Sequence, residues 1–130
     1  MSGPDVSMKV PAVADAVGGV REEAGSYAER VGMSAARTAD LRTVVGEAFN
    51  NVVVHAYEEG GSVEIHLCRT SDDEVELVVA DHGRGILPHP DCDVPSLKMG
   101  LPIIGALSAS FRLESRRGHG TVLTVSMPRQ

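Results

Sequence analysis

Glu47-Ala48-Phe49-Asn50-Asn51-Val52-Val53-Val54-His55-Ala56-Tyr57 lies near the end of the longest helical pattern in the chain. Ser34 reads as an N-cap. From about Ala35 to Glu59 the apolar residues Leu41, Val44, Val45, Ala48, Val52 and Ala56 recur at helical spacing, and Gly60-Gly61 stops the run. Glu47, Asn51 and His55 fall four residues apart on a second stripe beside that apolar face. A carboxylate and an amide oxygen one turn apart suit a hard, oxygen-seeking cation such as Mg²⁺. The carboxylate can instead serve as a general base that orients a hydroxyl or water toward a phosphate. An ordinary solvated helix face has the same spacing.

Working outward, Ala12 to about Gly32 reads as an earlier helix, with Val13, Ala16, Val17, Val20, Ala24, Tyr27, Ala28 and Val31 on its apolar side. Val6-Ser7-Met8-Lys9-Val10 alternates as an edge strand does. Beyond the long helix the period changes to two. Val63, Ile65 and Leu67 form one strand; Ser71-Asp72-Asp73 forms a turn; Val75, Leu77 and Val79 form a hairpin partner. Residues 82–98, rich in Gly, Pro, His and Asp, read as a long loop of the kind that is usually functional or disordered. Met99 to Ser110 reads as a helix with Pro102 in its first turn. Phe111, Leu113 and Ser115 alternate with charged residues, Arg116 to Gly120 turns, and Val122 to Met127 closes as a strand. Two hairpins with helices before and between them predict an α+β two-layer sandwich, a mixed, mostly antiparallel sheet covered on one face by helices.

The 130 residues fit one domain, 1–130, and 42% hydrophobic content is enough for a core. With aromatics at 3% and no Trp, that core has to be aliphatic. The formal charge of −6 argues against a general nucleic-acid binder. Cys68 and Cys92 are too few for a disulfide scaffold and lack zinc spacing, and His66, His82 and His89 are irregularly placed. No stretch is long and apolar enough for a membrane span, and the first residues do not resemble a signal peptide, so a soluble cytoplasmic protein is expected.

Three further segments carry chemistry. Asp81-His82-Gly83-Arg84-Gly85-Ile86 puts a carboxylate at the end of a strand and follows it with Gly-x-Gly. The acid can accept from an exocyclic amine, and the glycines let the backbone approach a flat ring; an exposed Gly-rich turn is the plain alternative. Lys98-Met99-Gly100-Leu101-Pro102 opens a helix, where free N–H groups and a lysine suit phosphate oxygens. Gly118-His119-Gly120-Thr121 is a hairpin turn that also brings a hydroxyl toward the same end.

Together these four segments resemble the N, G1 and G2 boxes and the final glycine-threonine element of the GHKL ATP-binding fold, found in gyrase, Hsp90, histidine kinases and MutL. The Asn-x-x-x-His-Ala-Tyr ending and the short chain resemble the bacterial anti-sigma-factor serine/threonine kinases of the RsbW and SpoIIAB type, over about residues 6–128. The resemblance implies ATP and Mg²⁺ as cofactors. It makes Asn51 the metal ligand, Glu47 the base that accepts the substrate hydroxyl proton, and Asp81 the partner of the adenine amine, supported by Gly83, Gly85 and Ile86. Residues 87–98 would form a lid over the phosphates, Gly100 and Leu101 would begin the helix under them, Lys98 and Met99 would join the nucleotide-binding residues, and Thr121 would help hold the adenine end. Lys98 stands where the family usually carries glycine; it either meets a phosphate or crowds the lid. Pro88, Pro90 and Pro95 would stiffen that lid. The implied partners are an anti-sigma-factor antagonist of the STAS type, phosphorylated on Ser or Thr, a sigma factor held from RNA polymerase, and a second copy in a homodimer. The alternative is an ATP-binding regulatory module with little or no kinase activity.

Overall fold

The computed structural model describes residues 5–55, 61–71, 73–81, 103–116 and 120–130. Their elements are β1 (Val6–Pro11), a 3-10 turn (Ala14–Ala16), α1 (Val17–Arg30), α2 (Ala35–His55), β2 (Ser62–Arg69), β3 (Glu74–Asp81), β4 (Ser110–Arg116) and β5 (Gly120–Pro128), with residues 103–107 also helical. The sheet runs β1-β2-β3-β5-β4, and every pair is antiparallel. The expected α+β sandwich is present, its described strands wholly antiparallel rather than mixed. β1 takes the edge position that its short, alternating sequence predicts.

Alternation sets which face is buried. Met8, Ile65, Val79, Leu123 and Leu113 are paired in register across the sheet, and so are Val6, Leu67, Leu77, Val125 and Phe111. Ile65, Leu67, Leu77, Val79, Val125 and Leu123 are buried on this face. Against it lie Val20, Ala24, Tyr27 and Ala28 of α1 and Leu41, Val44, Val45, Ala48, Phe49 and Val52 of α2, in one apolar cluster that is mostly aliphatic but, contrary to the expectation of a purely aliphatic core, has Tyr27 and Phe49 as its largest buried side chains. Val13 corrects the first helix's predicted stripe: it sits ahead of the 3-10 turn and is 46% exposed. The helix read as Met99 to Ser110 ends earlier, since Ser108 N–H bonds to Ile104 O at 3.0 Å and Ser110 already belongs to β4.

The turn between the helices is built from local signals. Gly32 has φ +77°, a left-handed conformation in which a Cβ would be strained, and it ends α1. Ser34 caps α2 as predicted: Arg37 N–H donates to its Oγ at 3.2 Å. The C-terminal strand is tied to the same corner, because Ser34 N–H donates to Arg129 O at 3.0 Å and Gln130 Nε2 donates to Gly32 O at 3.0 Å. The start of β1 is pinned by Asp5, which accepts from Tyr27 Oη at 2.7 Å and Arg69 N–H at 3.3 Å.

Candidate functional site

The outermost core-facing row of the sheet departs from the apolar pattern. In register it reads Val10, Val63, Asp81 and Thr121. Asp81 ends β3 at 1% exposed, and Thr121, directly opposite on β5, is 2% exposed. Both continue columns that are otherwise valine, leucine and methionine, so the period of two carries a carboxylate and a hydroxyl into the interior. Burying such groups is costly unless they are satisfied. The two residues assigned to the adenine end are therefore cross-strand neighbours, although they come from opposite ends of the second half of the chain.

α2 supplies the other pair. Asn51 is 6% exposed, and Glu47, one turn earlier on the same stripe, is half-buried. Among the described residues, the polar or charged residues that are buried are Asn51, Asp81 and Thr121, three of the positions singled out from sequence. Glu47 lines a cavity of about 140 Å³ between α1 and α2, together with Val17, Arg21, Thr43, Gly46 and Asn50. Sequence reasoning did not place Thr43 and Asn50 at this site; the available signal was their distance of four and three residues from Glu47 on one helix.

His66 has its Nδ1 2.9 Å from Ser7 Oγ on the neighbouring strand. Cys68 is a free thiol whose pKa is raised by burial, with the Glu76 and Asp5 carboxylates adding to it, a shift that disfavours the nucleophilic thiolate. Among the described residues there is no cluster of three or more His, Cys, Asp or Glu side chains able to hold a metal alone, and no helix is long and apolar enough to cross a membrane. The positions expected at the nucleotide from Gly83, Gly85, Ile86, Lys98, Met99, Gly100 and Leu101, the lid, and Cys92 lie outside the described residues.

Comparison with known proteins bears on the family and the fold. Residues 10–127 match the family described as the histidine kinase-like ATPase domain. The chain is 32% identical to the serine-protein kinase RsbW of Oceanobacillus iheyensis over 127 residues, 87% of this chain and 80% of that one. It is 27% identical to a serine-protein kinase RsbW of Bacillus cereus, spanning 96% of this chain and 86% of the relative. The RsbU and RsbW domains of Rv1364c from Mycobacterium tuberculosis superpose with a TM-score of 0.75 at 22% identity, over 97% of this chain and 32% of the longer one. A blue-light activated histidine kinase from Erythrobacter litoralis EL346 shares the fold at a TM-score of 0.64 and 19% identity, over 87% of this chain and 42% of the other. The chain belongs to the histidine kinase-like ATPase family and, within it, to the RsbW group of serine-protein kinases.

Proposed function

We propose that this protein is an ATP- and Mg²⁺-dependent serine/threonine kinase that phosphorylates an anti-sigma-factor antagonist and sequesters a sigma factor. The observation that carries the reading is the burial of Asn51, Asp81 and Thr121 inside an otherwise apolar interior. A fold keeps polar groups there at a cost, and these three match what a purine nucleotide asks of a site. Asp81 accepts from the adenine amine and Thr121 lies beside it; Asn51 offers one amide oxygen toward the phosphate end.

The donor set fits a magnesium ion brought in by phosphate. A single amide oxygen cannot hold Mg²⁺, but Mg²⁺ takes few protein ligands and completes its shell with phosphate oxygens and water. When bound, it would neutralise charge on the transferring group. The protein's own part is positioning. Glu47, half-buried at the cavity between the helices, accepts the proton of the acceptor hydroxyl, and a volume of about 140 Å³ admits a serine or threonine side chain. A second copy of the chain completes the proposed assembly.

Labelled ATP and a purified candidate antagonist test this. Transfer is expected from the wild type and not from Glu47→Ala, with nucleotide affinity retained in the variant. Asn51→Ala should remove most of the Mg²⁺ dependence of ATP binding. Equal affinity and equal metal dependence in wild type, Asn51→Ala and Asp81→Asn would refute the site.

A further inference from the structure

Each of the two long helices carries one Arg-x-x-x-Gly segment: Arg21 to Gly25 in α1 and Arg42 to Gly46 in α2. The structure interlocks them. A Cβ added at Gly46 would lie 3.3 Å from Arg21 Cδ and 3.6 Å from its Nε, so the Arg21 stem rests on Gly46. A Cβ at Gly25 would lie 2.7 Å from Arg42 Cζ and closer still to its guanidinium nitrogens. Neither glycine has a positive φ. Backbone geometry therefore does not require glycine at these positions, and a helix-interior glycine costs about 1 kcal/mol relative to alanine. Gly18 and Gly19, also in α1, have nothing within 4 Å of an added Cβ. Space for an arginine is thus what distinguishes Gly25 and Gly46.

The two seats differ in what they adjoin. Gly46 immediately precedes Glu47, and Arg21 and Glu47 line the same 140 Å³ cavity. Arg42 lines a separate cavity of about 420 Å³ with Glu29, Met33, Ala35, Thr38 and Ala39, toward the other end of the helix pair. We infer that Arg21, held on Gly46, is a positioning residue for Glu47: it fixes the width and charge of the cavity wall that faces the base. This rests on the kinase reading above. Arg42 on Gly25 is the same packing device placed away from the chemistry, and it serves as an internal control.

The test is a variant set, Gly46→Ala, Arg21→Met, Arg21→Lys, the Arg21→Met/Gly46→Ala pair and Gly25→Ala, measured for transfer kinetics, nucleotide affinity and denaturation midpoint. Gly46→Ala and Arg21→Met are expected to lower kcat about tenfold, as a small misplacement of a reacting group does, with nucleotide affinity and acceptor KM within about twofold. Arg21→Lys should recover part of the loss. Gly25→Ala should move the midpoint and leave transfer within about twofold. The midpoint change caused by Gly46→Ala should differ between the wild type and the Arg21→Met background, because the residues touch. A raised acceptor KM with kcat unchanged would make Arg21 a docking residue and overturn the proposal, as would wild-type kcat in Gly46→Ala. Additive midpoints would refute the seat itself, whatever the activity. Absence of transfer from the wild type would refute the kinase reading and the positioning role with it, while the midpoints would still judge the seat.

Discussion

Replacing Asp81 with asparagine keeps the shape of the side chain and removes its charge. At 1% exposed, Asp81 interacts with any ligand out of reach of bulk water, where a hydrogen bond to a charged group contributes about 1.5–3 kcal/mol. The amide keeps one acceptor oxygen but has neither the charge nor the second acceptor of the carboxylate. Nucleotide affinity should therefore fall about 10- to 150-fold. The effect can be read without enzymology. At ATP one hundred times its dissociation constant, ligand binding stabilises the wild type by about 2.7 kcal/mol; a variant about thirtyfold weaker at the same concentration keeps about 0.9 kcal/mol. For a chain this size 1 kcal/mol moves the melting temperature by about 3 °C, so ATP should raise it by about 8 °C in the wild type and about 3 °C in Asp81→Asn. Comparing each protein with and without ligand removes any change in the stability of the free variant from the reading. Differential scanning fluorimetry with and without Mg-ATP measures all four values. An ATP-induced shift as large in the variant as in the wild type would refute the assignment of Asp81 to the base.

Other expectations concern the scaffold. Tyr27→Phe loses the hydrogen bond to Asp5 and should cost about 1 kcal/mol in urea unfolding. Tyr27 is also the alkaline weak point: burial first, then the hydrogen bond and charge of Asp5, raise its pKa in the fold. Its contribution is complete below the unfolded value of about 10 and is lost as pH rises toward the folded one, because only the unfolded chain then gives up the proton. Stability of the wild type should fall as pH rises above about 10, and Tyr27→Phe should fall less over the same range. Ser34→Ala removes the cap of α2 and should cost about 1 kcal/mol, read from the same urea curves. Leu77→Ala, at a fully buried position between β2 and β5, should cost about 2–5 kcal/mol, visible as a lower denaturant midpoint with an unchanged slope.

Much of this was legible in the chain because local rules and the fold agree. Alternation at Val63, Ile65 and Leu67, the Ser34 cap and the glycine after α1 each act over a few residues, and each is where the local pattern puts it. Asn51, Asp81 and Thr121 stand out as candidates from their motifs, but the sequence does not foretell their burial: Asn51 reads on a stripe beside the apolar face, Thr121 in a turn, and Asp81 at a strand end that could equally be exposed. What could not be read was non-local. Nothing in the sequence makes β5, rather than β4, the neighbour of β3, yet that pairing sets Thr121 opposite Asp81. Val13 fits a helical period but precedes the helix, because the 3-10 turn at Ala14–Ala16 intervenes. The glycines at 25 and 46 look like helix defects until the arginine of the opposite helix is seen lying on each.

Strand order also decides how the molecule can be divided. Because the last strand, not the next one, completes the ladder beside β3, a break anywhere between Asp81 and residue 103 leaves every residue from Glu74 to Asp81 paired in register with a partner from Thr121 to Pro128 on the other piece. The two halves carry complementary edges and complementary parts of one core, so this fold is suited to reassembly from separately expressed fragments, with the proposed adenine-facing pair, Asp81 and Thr121, restored only when the halves meet.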